Sequence, residues 1–357
     1  MTPSRMLYGV LMGILAVSLI TGCGDKADEA SAAPVLREDT SPEPGAGPAP
    51  EPPRGAEPAG GAGPAWIIQE QGGSSLDSVW ALDTSHASVT GPSEDLRATS
   101  NGGATWSFRS SPSMRRIQFL NLQEGWGVSS GGAYSTSNGG TTWTLRLEAE
   151  DGVSPTSLCF INASLGWVTH DHVLYKTTDG GATWMPFPFG RSLRSVKFAN
   201  AQVGWLAAGT GSGEPGATIL RTDDGGIQWR ETHAVDDFAF LGDISAVSES
   251  EVWMAGTQGL PVMPLILHSS DDGETWTEQS SPAIGDVFAV HFVDANRGWA
   301  VGRQIQSTED GGVTWTVRPA PEFPNFNGFK DVFFVSPTTG WVVGDDGVIL
   351  KTTTGGQ

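Results

Sequence analysis

Few side chains in this sequence are placed to do chemistry. Asp236-Asp237 and Asp286 are carboxylates of the kind that serve as acid and base on a glycosidic bond. His170-Asp171-His172 puts two imidazoles on one side of a short strand or turn, half of a metal site, with no third ligand nearby in sequence. No metal or cofactor is therefore expected. Cations gather elsewhere: Arg115, Arg116, Arg191, Arg194 and Lys330 all fall at the starts of apolar stretches. Aligning Phe119, Phe198 and Phe334 puts Arg115, Arg194 and Lys330 in one register. The chain carries 40 acidic against 20 basic residues, net −20, so such a group makes a local positive site. Arginine forks pair bidentately with carboxylates. The alternative is scattered, solvated strand-end charge. The overall acidity argues against nucleic acid or anionic lipid as the main partner. There is no Gly-x-Ser-x-Gly, phosphate loop or cysteine cluster.

The elements that position these residues are read from tryptophan. Six of the fourteen close nearly the same phrase, as in TSNGGATW to Trp106, TSNGGTTW to Trp143 and TTDGGATW to Trp184. The others are TDDGGIQW to Trp229, SSDDGETW to Trp276 and TEDGGVTW to Trp315, at gaps of 37, 41, 45, 47 and 39 residues. A second set, Trp126, Trp167, Trp205, Trp253, Trp299 and Trp341, mostly follows Gly, and five of them have a Phe seven residues earlier. Third strands are visible in LYKTTDGG, ILRTDDGG, ILHSSDDG and ILKTTTGG. Each unit thus reads as four short strands joined by Gly/Asp/Asn turns, the pattern of a propeller blade.

The ends close the count. The last unit has a third strand and turn, Ile349 to Gly356, but no outer strand, and Trp66 has no unit of its own. The expected fold is all-β: a seven-bladed β-propeller of four-stranded blades over 64–357, with the last blade closed by the N-terminal strand at about residues 65–70. Ser88 stands where the first unit should carry its second-strand Trp, and Trp80 falls on that unit's inner strand. Closure removes the sheet edges that would otherwise aggregate.

The hairpin phrase resembles the Asp-box, or bacterial neuraminidase repeat, Ser/Thr-x-Asp-x-Gly-x-Thr-Trp. Asn101, Asn138, Asp179, Asp224, Asp271 and Asp310 take the Asp position, and Thr354 departs from it. The resemblance implies that these residues, with Trp106, Trp143, Trp184, Trp229, Trp276 and Trp315, are structural and lie away from any active face. Sialidases add an arginine triad and a Tyr–Glu nucleophile pair to such boxes. Here Tyr134 and Tyr175 are the only tyrosines after the leader; both sit nine residues before a hairpin Trp, and Ser113-Met114-Arg115-Arg116-Ile117 is not the Phe-Arg-Ile-Pro motif. Asp-box xyloglucanases use two propellers, and this chain has residues for one. No catalytic residue is expected, with a carbohydrate-binding or sialidase-like glycosidase propeller as the alternative and a surface adhesin as a third option.

Gly-Trp plus Asp-box units and an arginine-bearing face together resemble the photosystem II assembly and stability factor family, over about residues 65–357. The resemblance implies a protein-binding propeller, with Arg115, Arg116 and Arg194 as the positions that match its arginine patch. Variable segments on the same side include 209–216, the apolar loop Gln258 to Leu265, and the connector Pro319 to Phe329 with Phe323, Phe326 and Phe329. The expected occupant is a protein or peptide with an acidic or C-terminal segment.

Arg5, the apolar run Met6 to Ile20 and Thr21-Gly22-Cys23 resemble a bacterial lipoprotein leader (1–22), with lipid on Cys23. The apolar run is too short for a membrane span. Residues 23–63 are rich in Pro, Ala, Gly and Glu and read as a disordered tether. The expected location is the bacterial envelope, held by the lipid anchor alone, at the outer membrane facing periplasm or surface rather than the inner membrane. Cys159 reads as a buried, inert thiol.

Overall fold

Sheets that are apolar on both faces need a partner on each, and here they pack face to face around an axis. In the computed structural model the described residues are 65–357, less 93–94, 150–152, 211–215, 236–237 and 325. The leader, Cys23 and the tether lie outside the described residues, as do Asp236, Asp237 and most of the 209–216 loop.

The described strands form seven four-stranded antiparallel sheets. Six follow sequence order: blade 1 (78–110), blade 2 (114–148), blade 3 (155–188), blade 4 (193–235), blade 5 (240–278) and blade 6 (287–318). Blade 7 is composite. Its inner three strands are Phe329–Phe334, Gly340–Gly344 and Ile349–Thr352, and its outer strand is Ile67–Glu70 from the other end of the chain. Ile67 pairs with Lys351 and Ile68 with Leu350. The ring is therefore closed by backbone hydrogen bonds between the two ends of the propeller segment.

Blade contacts are built from a repeated aromatic stack. A second-strand Trp lies flat on the inner-strand Phe of the next blade: Trp126 on Phe160, Trp167 on Phe198, Trp253 on Phe292 and Trp299 on Phe334, with centroids 3.5–3.9 Å apart. The box Trp of that next blade meets the same Phe edge-on, as Trp229 does Phe198 at 5.9 Å. The edge-on contact is a geometry that aromatic pairs favour, and the flat contact buries a whole ring face. Indole N–H groups of Trp167, Trp253 and Trp299 donate to the carbonyls of Gly225, Gly311 and Gly355 in the next blade's box, at 3.0–3.1 Å.

The boxes are self-contained hydrogen-bonded turns. Thr177 Oγ1 donates to Asp179 Oδ1 and accepts from Gly181 N–H, and Asp179 Oδ1 accepts from Thr183 N–H. The Thr183 hydroxyl and amide hold Asp179 down at a pKa of about 2, and Asp271 is held the same way by Thr275. Asn101 and Asn138 make the equivalent amide bonds through their side-chain oxygens. In blade 7 Thr352 Oγ1 still accepts from Gly356 N–H, while Thr354 donates to the Gln357 carbonyl. Gly180 and Gly181 take φ of 70° and 75°, the left-handed region that glycine enters without a Cβ clash.

Candidate functional site: the channel and the face that opens it

Seven inner strands line the axis. Strand order puts the box hairpins on one face, and the blade-to-blade connectors and second-to-third-strand loops on the other. Inner strands begin on the connector face. In blades 2 to 7 each carries a register shift near its start. Arg115, Arg194 and Lys330 occupy that shifted position in blades 2, 4 and 7. The three cations aligned from sequence therefore stand at equivalent places around one mouth. Arg115 and Arg194 are exposed.

The same position in blades 3, 5 and 6 holds Thr156, Gly242 and Phe288. Phe288 was not singled out from sequence, although its spacing from Phe292 matches that of Lys330 from Phe334. It forms a shelf for its neighbour, with Lys330 Nζ 4.7 Å from the ring centroid. Arg194 lies 5.0 Å from the ring of Phe240, at the start of blade 5. Lys330 also meets Asp345 at 3.6 Å. Arg191 lies back on its own blade, paired with Glu231 at 3.0 Å. The Arg115 guanidinium has no hydrogen bond or ion pair among the described residues.

Arg116 departs from its neighbours. One residue past the shift, its side chain enters the channel, 3.4 Å from Asp331. Asp243 also faces it. Arg116 thus lies inside the ring beside Asp331, whereas Arg115 stands at the mouth, because the register shift between Met114 and Arg116 sends the two side chains to different surroundings. The channel encloses about 130 Å³ and also carries Gln118, Lys197 and His291. Burial raises the pKa of Asp331 to about 6, with Arg116 opposing the rise and Asp243 adding to it. Burial raises Asp243 as well. Burial, then Lys197, pushes His291 down to about 4, against the hydrogen bond to the Phe334 carbonyl. These groups also stitch the ring: Asp331 accepts from Val79 N–H, Asp243 from Val290 N–H and Gln118 from Phe160 N–H.

The other sequence candidates are dispersed. His170 is buried, with Nε2 2.6 Å from the Val153 carbonyl, while His172 is exposed beside Asp171. The two rings do not share a side, and no cluster of three ligating side chains occurs among the described residues. Cys159 is buried and free, its thiol pushed up by burial, and its sulfur accepts from Phe198 N–H at 3.3 Å. Phe329 is buried, Phe326 meets it edge-on at 4.7 Å, and Phe323 lies tilted against Phe326 at 5.2 Å. The connector aromatics therefore pack together beside the mouth. Exposed apolar groups on this face cluster in blade 5: Phe238, Phe240, Leu260, Val262 and Met263 are 42–77 % exposed. The flatly stacked tryptophans are buried between blades and offer no platform for a sugar.

A family model matches the last fifth of the chain. Residues 282–357 match the family described as photosynthesis system II assembly factor YCF48. The whole propeller is YCF48-like in fold. A solved structure of YCF48 bound to a D1 peptide is 22% identical, covers 81% of this chain and 97% of its own, and superposes with a TM-score of 0.64. YCF48 from Cyanidioschyzon merolae is 19% identical, with coverages of 81% and 98% and a TM-score of 0.63. A GH74 xyloglucanase from Xanthomonas campestris shares the fold at 12% identity and a TM-score of 0.61, covering 81% of this chain and 53% of the enzyme. At these identities the likeness is one of fold. No curated protein matches the sequence significantly.

Proposed function

We propose that this chain is a non-enzymatic, lipid-anchored envelope protein whose propeller is a scaffold or assembly factor. Its connector face holds a protein segment that ends in, or carries, carboxylates. The observation that carries this reading is the pair of exposed guanidiniums, Arg115 and Arg194, at equivalent places around one mouth of a chain of net charge −20. Arg115 has no competing carboxylate within bonding distance among the described residues, and Arg194 rests on Phe240, which leaves its fork free to pair outward. The exposed apolar residues of blade 5 begin beside Arg194, which suits a segment with both acidic and apolar side chains. The YCF48 family match over 282–357, and a fold-level relative whose structure holds a D1 peptide, support a peptide occupant. The anchor rests on the Thr21-Gly22-Cys23 leader pattern.

Crosslinking pull-down from membranes tests the reading. The double variant Arg115→Glu/Arg194→Glu should lose at least about tenfold of the captured partner, since truncating or reversing an interfacial charge pair costs several kcal/mol. Val313→Glu, on an exposed box hairpin, should leave capture unchanged. Equal capture by wild type and the double variant would sink the assignment of the face.

A further inference from the structure

Blade 1 lacks the Trp that blades 2, 3, 5 and 6 stack on the next blade's Phe, and its place is a cavity. In blade 2 the residue paired with Gln118 is Trp126; in blade 1 the residue paired with Trp80, at the same step of the ladder, is Ser88. The cover over the Trp ring is missing as well. Lys176 lies 5.6 Å from Trp167, Lys351 4.8 Å from Trp341 and His268 4.5 Å from Trp253, each cross-strand from its Trp. Opposite Ser88 stands Ala98. Phe119 of blade 2, which a blade 1 Trp would cover, keeps its edge contact to Trp143 at 6.2 Å and has no flat-stacked partner among the described residues.

Space remains where the indole would lie. A cavity of about 150 Å³ is lined by Trp80, Leu82, Ser88, Phe119, Leu122 and Arg109. Leu122 is 52% exposed, so the cavity reaches the surface on the box side. The acceptor that an indole N–H would use, the box carbonyl Gly139, takes a hydrogen bond from the Arg109 guanidinium instead. The outer-strand residues Gln279 and Gln69 cap the equivalent carbonyls of Gly311 and Gly102.

We propose that this slot between blades 1 and 2 is a binding site for a small bicyclic aromatic ligand bearing a ring N–H, of the indole class. The fold itself specifies the ligand. In blades 3, 5 and 6 the same place holds an indole stacked on Phe, with its N–H on the box carbonyl. The ligand stacks on Phe119 between Leu82 and Leu122, and its N–H takes the Gly139 carbonyl as Arg109 swings aside. A flexible arginine at a surface-reaching cavity leaves that exchange open, whereas the indoles of blades 3 and 6 are covalently fixed.

Indole itself is the probe, titrated into the full-length protein with methyl NMR detection. The expected result is saturable shifts at Leu82, Leu122 and Ala98, with indene, which lacks the N–H, binding more weakly. Ser88→Trp supplies the missing ring from within; it should raise Tm and weaken indole binding at least about tenfold, a difference of roughly 1.4 kcal/mol. Arg109→Ala uncaps the Gly139 carbonyl and should tighten binding. The proposal is overturned if indole gives no saturable shift at those methyls, or if a folded Ser88→Trp binds indole as wild type does. Should Ser88→Trp not fold, Arg109→Ala decides: unchanged or weaker binding overturns the site.

Discussion

Replacing Arg116 with methionine should cost the folded protein on the order of 3 kcal/mol near pH 7.5, and clearly less at pH 5. Methionine keeps the length of the stem and removes the charge, leaving Asp331 and Asp243 in the channel with their nearest cation gone. Breaking a buried pair by deleting one partner is costly because the remaining charge is uncompensated. The pH dependence follows from the sign of the shifts. Asp331 has a folded pKa of about 6, above its unfolded value, and Asp243 is also raised. The penalty of ionising them in the ring is therefore fully present above the folded pKa. It is lost as pH falls towards the unfolded value, where both states hold the proton. Without Arg116, the main lowering influence, both carboxyls take up protons at still higher pH, so the deficit of the variant shrinks as pH falls towards about 6, the folded value of Asp331 with Arg116 in place. Asp77, Lys197 and His291 also face this cluster. His291 loses stability on acidification from about 6.5 to 4 in both proteins, so it cancels in the comparison. Urea unfolding of both proteins at the two pH values reads the effect. Equal deficits would mean that the carboxyls do not depend on Arg116.

Trp167→Ala is the larger loss, about 4 kcal/mol and roughly 10 °C in Tm. The side chain is fully buried, stacks on Phe198 at 3.5 Å, donates to the Gly225 carbonyl at 3.1 Å, and lies under Lys176. Truncation opens a cavity between blades 3 and 4, strips one face of Phe198 and frees a box carbonyl. Phe108→Ala removes a comparable ring that is 59% exposed on an outer strand, and should move stability by no more than about 0.5 kcal/mol. Thermal unfolding of the two variants separates burial from aromatic content. Similar Tm values would contradict the account of how the blades are joined.

The contrast between these two predictions mirrors what the sequence discloses. Trp167 was legible because its role repeats: the same residue, with the same Phe in front of the next Gly-Trp, recurs blade after blade, and repetition reports packing. Ser88 was legible as a gap in that pattern, and Trp66-Ile67-Ile68-Gln69 as the strand that blade 7 lacks. Arg116 was legible only as a basic residue at a strand start, beside Arg115. What sends one inward and leaves the other at the mouth is the register shift between Met114 and Arg116, which a sequence does not display. Its partners were hidden for a stronger reason. Asp243 and Asp331 come from blades 5 and 7, and only closure of the ring brings them to blade 2. Phe240 and Phe288, the aromatic shelves under Arg194 and Lys330, are likewise contributed across blade boundaries. Groups unique to one blade carry no repeat to announce them.

The central claim is that partner binding belongs to the connector face and not to the Asp-box face. Site-specific photocrosslinking in intact membranes tests it most directly, with a photoreactive amino acid placed at position 115, at 194 or at 313. Positions 115 and 194 flank the mouth of the channel, and 313 is the 78% exposed tip of a box hairpin. The account predicts a discrete crosslinked product from 115 and 194 and none from 313. A product from 313 with none from 115 or 194 would contradict it.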